Sequence, residues 1–263
     1  MAPETQPPVL YEKRPDRVAI VTLNRPQALN ACNREMGRML AETWREVARD
    51  EEVSVVVLTG AGDRAFCVGA DLKEMAARTA EDAPPPQDVR TMLETWDLDL
   101  WKPIICAVNG YALGSGVNMV MATDIRIASE DATFGLSQIK WGLVSGHGTQ
   151  LLPRLVSYSL AMEMLLTGEN ITAQRAYEIG LVNRVTPQER LMDEALALAR
   201  KIAGYAPLAL QRIKEAAVRG LNFNLKDAIV WGLRMEELNA FTEDAKEGPR
   251  AFSEKRQPQW KGR

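Results

Sequence analysis

The chain has 263 residues, 46% hydrophobic and 25% charged, with 32 basic against 35 acidic side chains and a net charge of −3. These charges are scattered rather than blocked, which argues against nucleic acid or an anionic membrane surface as the main partner. No apolar run approaches the ~20 residues that span a bilayer, and a chain of this length can bury roughly three quarters of its unfolded surface as one large domain.

Residues 1–16 carry no apolar signal core and are rich in proline and charge, so a flexible segment is expected there. RVAIVTL (17–23) is short and β-branched and ends at Asn24-Arg25-Pro26, which predicts a strand and then a turn. Asn33 is a predicted N-cap, with Met36, Met39, Leu40, Trp44 and Val47 on one face of a helix running to about Arg49. VSVVVLTG (53–60) and PIICAVNG (103–110) are apolar almost throughout, as strands covered on both faces are, and DIRIAS (124–129) alternates. Such strands separated by helix-length segments predict crossover units and a mainly parallel sheet. The stretch around 76–90 contains three consecutive prolines and is expected to be a mobile surface loop. Beyond residue 157 the pattern is helical, over 157–166, 172–179, 189–203, 207–219 and 223–243.

Cys32, Cys67 and Cys106 sit in apolar strings without zinc or disulfide spacing. They read as small buried hydrophobes in a reducing, cytoplasmic protein.

Two glycine-rich turns follow buried strands. Gly69-Ala70-Asp71 opens a short helix after 53–60, and Gly114-Ser115-Gly116 opens another through Met121. The first N–H groups of a helix lack intrahelical partners. Two such turns facing each other could grip one oxygen as it becomes negative, although glycine turns also serve packing alone.

The residues AFCVGADLKEM (65–75) and VNGYALGSGVNMVMATDI (108–125) together resemble the crotonase, or enoyl-CoA hydratase/isomerase, superfamily. NRPQALNA (24–31), LLTGENITAQRAYEIGLVNRV (165–185) and EDAKEGPRAFSEKR (243–256) extend the resemblance over nearly the whole chain. It implies an α/β fold built as a spiral of ββα units, with a core at 17–200 and a C-terminal helical trimerisation region at 201–263. It also implies a homotrimer or hexamer (a dimer of trimers), with coenzyme A as part of the substrate and neither metal nor bound cofactor. By motif position, Ala70 and Ser115 supply the backbone N–H groups that stabilise a thioester enolate. Gln27 and Ala28 fall along the CoA adenine end. Gly69, Asp71, Leu72, Lys73 and Gly114 fall beside the thioester and pantetheine. Lys255 falls near a CoA phosphate, from the same or a neighbouring subunit.

The pattern breaks at two positions. Hydratases of this family use two glutamates, and this chain places Asn118 and Gln138 there. An amide keeps hydrogen-bonding capacity but does not shuttle protons near neutral pH, and positioned acid–base catalysis is worth about 10²–10⁴-fold. An inefficient hydratase is therefore expected. Decarboxylation, isomerisation, thioester hydrolysis and non-catalytic acyl-CoA binding remain open. His147, in a loop one residue shorter than the family's usual version, is either the replacement proton carrier or a structural residue. Trp96, Trp101 and Trp141 either line an acyl pocket or pack under the 76–90 loop, and Asp124 reads as a turn-fixing residue.

Overall fold

The computed structural model describes residues 6–77 and 99–263. Trp96 and most of the 76–90 loop lie outside the described residues.

The larger of two sheets runs β1 (Val9–Lys13), β2 (Val18–Leu23), β3 (Val55–Gly60), β5 (Ile104–Val108), β7 (Ile125–Ser129), β10 (Arg184–Thr186). From β2 onward its neighbours pair in parallel, and β1 is an antiparallel edge strand. Val9–Lys13 fall within the segment expected to be flexible. They are ordered because each residue pairs in register with β2, from Val9 opposite Leu23 to Lys13 opposite Ala19.

The smaller sheet runs β4 (Ala65–Cys67), β6 (Tyr111–Leu113), β8 (Thr133–Gly135), β9 (Ile171–Thr172). The chain alternates between the sheets. β3 leads to β4 and α2 (Leu72–Ala77), and β5 leads to β6 and α3 (Ser115–Met121). β7 leads to β8, a 3₁₀ turn at Ser137–Trp141, and α4 (Gly146–Leu155). Each ββα unit thus puts its first strand in one sheet and its second in the other, giving the spiral that the family resemblance implies.

The near-continuous apolar runs follow from burial on both faces. Val56, Leu58, Ile104, Cys106 and Val108 point into the main core with Met36, Leu40 and Trp44 of α1 (Arg34–Arg49). Their neighbours Val55, Val57, Ile105 and Ala107 point the other way. There Leu191, Ala195, Ala199 and Ala203 make one stripe of α7 (Leu191–Ala203) and cover them. Asn33 caps α1 as expected, its Oδ1 accepting from Met36 N at 3.0 Å. The buried Lys102 closes the other end of that helix, donating to Val47 O at 2.6 Å and to Asp50 O. Burial pushes its pKa down to about 8.

Helix α5 (Tyr158–Thr167) precedes β9 and α6 (Ala173–Glu178) follows it, and after β10 the chain is helical, with α7, α8 (Pro207–Gly220), α9 (Leu225–Ala240) and α10 (Glu243–Ser253). Among the described residues no helix is long and apolar enough to cross a membrane.

Helix α3 lies against β4 so closely that a Cβ on Gly116 would sit 2.0 Å from Cys67 O. A Gly116→Ala variant must push the helix off the sheet, and overpacking of this kind typically costs about 1–3 kcal/mol or more. Denaturant unfolding of this variant is expected to show at least that loss, and an unchanged midpoint would contradict the packing described.

Candidate active site

Two turns meet where the second strands of successive units pair. β4 and β6 run parallel, with Cys67 opposite Ala112, so the residues following each strand emerge side by side. Gly69 has φ +101° and Gly114 has φ +55°, both in the left-handed region that glycine adopts without penalty. A Cβ on Gly69 would lie 3.0 Å from Leu113 O and 3.3 Å from Ser115 N. The turns therefore approach with bare backbone between them.

The backbone of Ala70 is held from behind. Cys32 N donates to Gly69 O at 2.7 Å and Asp71 N donates to Cys32 O at 2.9 Å, forming a parallel bridge. That bridge uses the groups on either side of Ala70 and leaves its own N–H facing away from Cys32. Ser115 is the first residue of α3, where an N–H has no intrahelical acceptor. Among the described residues nothing accepts from either N–H. Both residues are half-buried.

Several polar residues fix this loop, and the sequence reading did not single them out. Asn30, fully buried, donates through Nδ2 to Ala65 O at 2.8 Å and Ala61 O at 3.0 Å. Asn109 donates to Gly62 O at 2.7 Å and accepts from Gly60 N at 3.1 Å. Arg25 donates from both terminal nitrogens to Asp71 Oδ2, each at 3.1 Å, and from Nη1 to Ala31 O at 2.6 Å. Asp71 thus ties the 25–31 turn to the residue after Ala70, and its Oδ1 accepts from Glu74 N at 3.3 Å. Burial pushes the Asp71 carboxyl up, but Arg25 and the N–H groups of Glu74 and Lys73 outweigh it and hold the pKa below the usual value.

Asn118 and Gln138 come to the same place. Asn118 is one turn along α3 from Ser115, on the same face, and only 4% exposed. Its Oδ1 accepts from Ser145 Oγ at 3.2 Å. Gly114 N donates to Gly135 O at 2.8 Å, which draws the end of β8 alongside the turn. Gln138 in the following 3₁₀ turn then hangs over Gly114, its Nε2 lying 3.6 Å from where a Gly114 Cβ would be. Gln138 Oε1 is buried and has no hydrogen-bond donor among the described residues. His147 is half-buried on the first turn of α4, two residues past Ser145.

The remaining candidates are more scattered. Gln27 is exposed and Ala28 half-buried in the 3₁₀ turn Pro26–Ala28, beside the Arg25–Asp71 pair. Leu72 and Lys73 are exposed on the first turn of α2. Trp141 closes the 137–141 turn and is 66% exposed, whereas Trp101 is buried with the Arg219 guanidinium 4.9 Å from its ring centre. Lys255 follows α10 in a left-handed conformation, and among the described residues no contact joins it to the site. Asp124 accepts from Ile104 N at 2.7 Å and pairs with Lys214 at 2.8 Å, a turn-fixing role. Cys32, Cys67 and Cys106 are buried free thiols. Among the described residues no group of His, Cys, Asp or Glu side chains could hold a metal ion.

Comparisons with known proteins agree with this architecture. Residues 13–263 match the Enoyl-CoA hydratase/isomerase family. The (E)-benzylidenesuccinyl-CoA hydratase of Thauera aromatica is 42% identical over 255 residues, covering 94% of this chain and 96% of that one. The 2,3-dehydroadipyl-CoA hydratase of Escherichia coli K12 is 42% identical over 259 residues, covering 97% and 99%. The crystal structure of an enoyl-CoA hydratase from Bacillus anthracis superposes with a TM-score of 0.92 at 36% identity, covering 97% of this chain and 100% of that one.

The Arg25–Asp71 pair makes stability sensitive to acid. A carboxyl whose folded pKa is depressed stabilises the fold fully above its unfolded value, near ~3.9, and loses that contribution as pH falls through the folded value. Asp71→Asn is expected to lower stability at neutral pH by about 1.5–3 kcal/mol. It should also flatten the decline below about pH 4, and thermal unfolding from pH 2 to 7 would check both. An unaltered acid limb would show that Asp71 does not couple the two turns.

Proposed function

Because the chain belongs to the enoyl-CoA hydratase/isomerase family, we propose that it is an enzyme acting on acyl-CoA thioesters through an enolate held by two backbone N–H groups. The observation that carries this reading is the approach of Gly69 to Gly114 and Ser115 without an intervening side chain, together with the N–H groups of Ala70 and Ser115, which meet no acceptor among the described residues.

The thioester oxygen would lie between these two donors. As a bond at the α-carbon breaks, its electron pair moves into the thioester and the oxygen becomes negative. Fixed N–H dipoles in a partly buried site stabilise that charge with little reorganisation, and one such donor is typically worth about 3 kcal/mol. The 25–31 turn and the first turn of α2 would bind the CoA portion, and coenzyme A enters only as part of the substrate.

Asn118 and Gln138 stand where hydratases of the family have carboxylates, so neither carries a proton to or from the α- or β-carbon. They would orient the acyl group or a water. His147 is the titratable side chain assigned to proton exchange, next to the Asn118–Ser145 pair along the chain. Reactions that need no carboxylate pair fit best: decarboxylation or double-bond migration through the enolate, or thioester hydrolysis. In hydrolysis water adds to the carbonyl carbon, the same two donors would hold the oxyanion of the tetrahedral intermediate, and the CoA thiol leaves. In decarboxylation the electrons of the breaking C–C bond enter the thioester, CO2 leaves, and the enolate takes one proton at the α-carbon.

Exposed apolar side chains on and beside the C-terminal helices, including Leu221, Leu225, Ile229, Leu233, Phe241 and Phe252, support assembly into a homotrimer or a pair of trimers.

The test removes a donor without removing the helix. Proline is tolerated at a helix's first position, where the N–H is unpaired in any case. Gly114 has φ 55° and ψ −116°, a mirror-image extended conformation open to glycine before proline. Purified protein and its Ser115→Pro variant would be incubated with enoyl-, malonyl- and β-oxoacyl-CoA thioesters and the products read by mass spectrometry. Turnover of at least one thioester is expected, with a loss of about 10²–10³-fold in kcat for the variant and unchanged circular dichroism. No product from any thioester, or full activity in the variant, would overturn the reading.

A further inference from the structure

We infer that Ser145 is a positioning residue that locks the Asn118 amide with its N–H groups turned toward the substrate, an inference that rests on the function proposed above. The hydrogen-bond order assigns the direction. Gly148 N donates to Ser145 Oγ at 3.1 Å, so the Ser145 oxygen is already an acceptor and its proton is available to Asn118 Oδ1, 3.2 Å away. With Oδ1 occupied by that proton, the amide cannot present its oxygen to the same side as its nitrogen. Asn118 Nδ2 donates to nothing among the described residues, and Asn118 shares a helix face with Ser115.

Burial makes this arrangement stiff. Ser145 is 7% exposed and Asn118 4%. A Cβ on Gly148 would come 2.5 Å from Ser145 Oγ, so only glycine lets the first turn of α4 close onto that hydroxyl. The relay therefore runs from a backbone N–H through a hydroxyl to an amide, each group donating to the next. Its end is a third donor beside those of Ala70 and Ser115, at the position where related hydratases carry a carboxylate acceptor. Position 118 would then recognise an acceptor, an oxygen of the acyl group or of a water, rather than abstract a proton.

The experiment separates this role from simple helix capping. Ser145→Gly removes the hydroxyl while leaving a residue that caps helices nearly as well, and Ser145→Thr keeps a hydroxyl. Each would be combined with Asn118→Ala, with kcat and KM measured on the thioester that the protein turns over. Binding of acetoacetyl-CoA, a β-oxo thioester, would be followed by the ultraviolet band of its enolate. Ser145→Gly is expected to lower kcat about ten-fold, the loss of one neutral hydrogen bond, with KM changed less than about two-fold. Threonine should restore kcat, and the glycine change should add nothing in the Asn118→Ala background. The enolate band should persist in Ser145→Gly, because both backbone donors remain.

An equal loss in both backgrounds, or no loss at all, would overturn the role of Ser145. Absence of the enolate band in the unaltered protein would instead count against the backbone donors. In that case a crystal structure of Ser145→Gly still decides the inference: an Asn118 side chain turned from its original position supports it, and an unmoved one overturns it.

Discussion

The backbone at Gly69 touches the backbone at Gly114 and Ser115, and the rest of the site is arranged around that contact. A side chain at either glycine would strain a left-handed conformation, and one at Gly69 would also press on Leu113 O and Ser115 N. The contact is possible because β4 and β6, each three residues long, are parallel neighbours in the small sheet. Parallel pairing makes both strands end at the same edge, so the turns that leave them meet. Each is then pinned from outside: Ala70 by its bridge to Cys32 and the Arg25–Asp71 pair, Ser115 by the seating of Gly116 on Cys67 O.

The same contact explains the surrounding polar groups. Gly114 N holds Gly135 O, and this brings Gln138 over the turn. Helix α3 begins at Ser115, and its next turn presents Asn118. Two amides thus border the turn, one anchored by Ser145 and one whose buried oxygen has no donor among the described residues. Burying an unpaired amide oxygen costs about 1–3 kcal/mol, so Gln138 Oε1 marks a place where a substrate or water hydrogen would be welcome.

Much of the scaffold could be read from residue pattern. The strands at 18–23, 55–60, 104–108 and 125–129 lie within one or two residues of their expected positions; in the central two, burial on both faces writes itself as a nearly unbroken apolar run. The second strands of the units could not be read this way, because three residues are too few to show a period. Edge strand β1 was missed for a different reason: its pairing with β2 overrides local proline and charge. The family motifs pointed to Ala70, Ser115, Asn118 and Gln138, but nothing local linked Ser145 to Asn118 or Arg25 to Asp71. Those pairs are separated by 27 and 46 residues and exist only through the fold. The one local sign at Ser145 is that of a helix N-cap ahead of Gly146-His147-Gly148, and it does not point to Asn118.

The central claim is that two main-chain nitrogens share one thioester oxygen. A crystal structure of the protein with a non-reactive acyl-CoA analogue measures this directly. A single carbonyl oxygen is expected within about 2.7–3.1 Å of both Ala70 N and Ser115 N. An analogue whose carbonyl sits elsewhere, or nitrogens too far apart to reach one oxygen with the ligand in place, would contradict it.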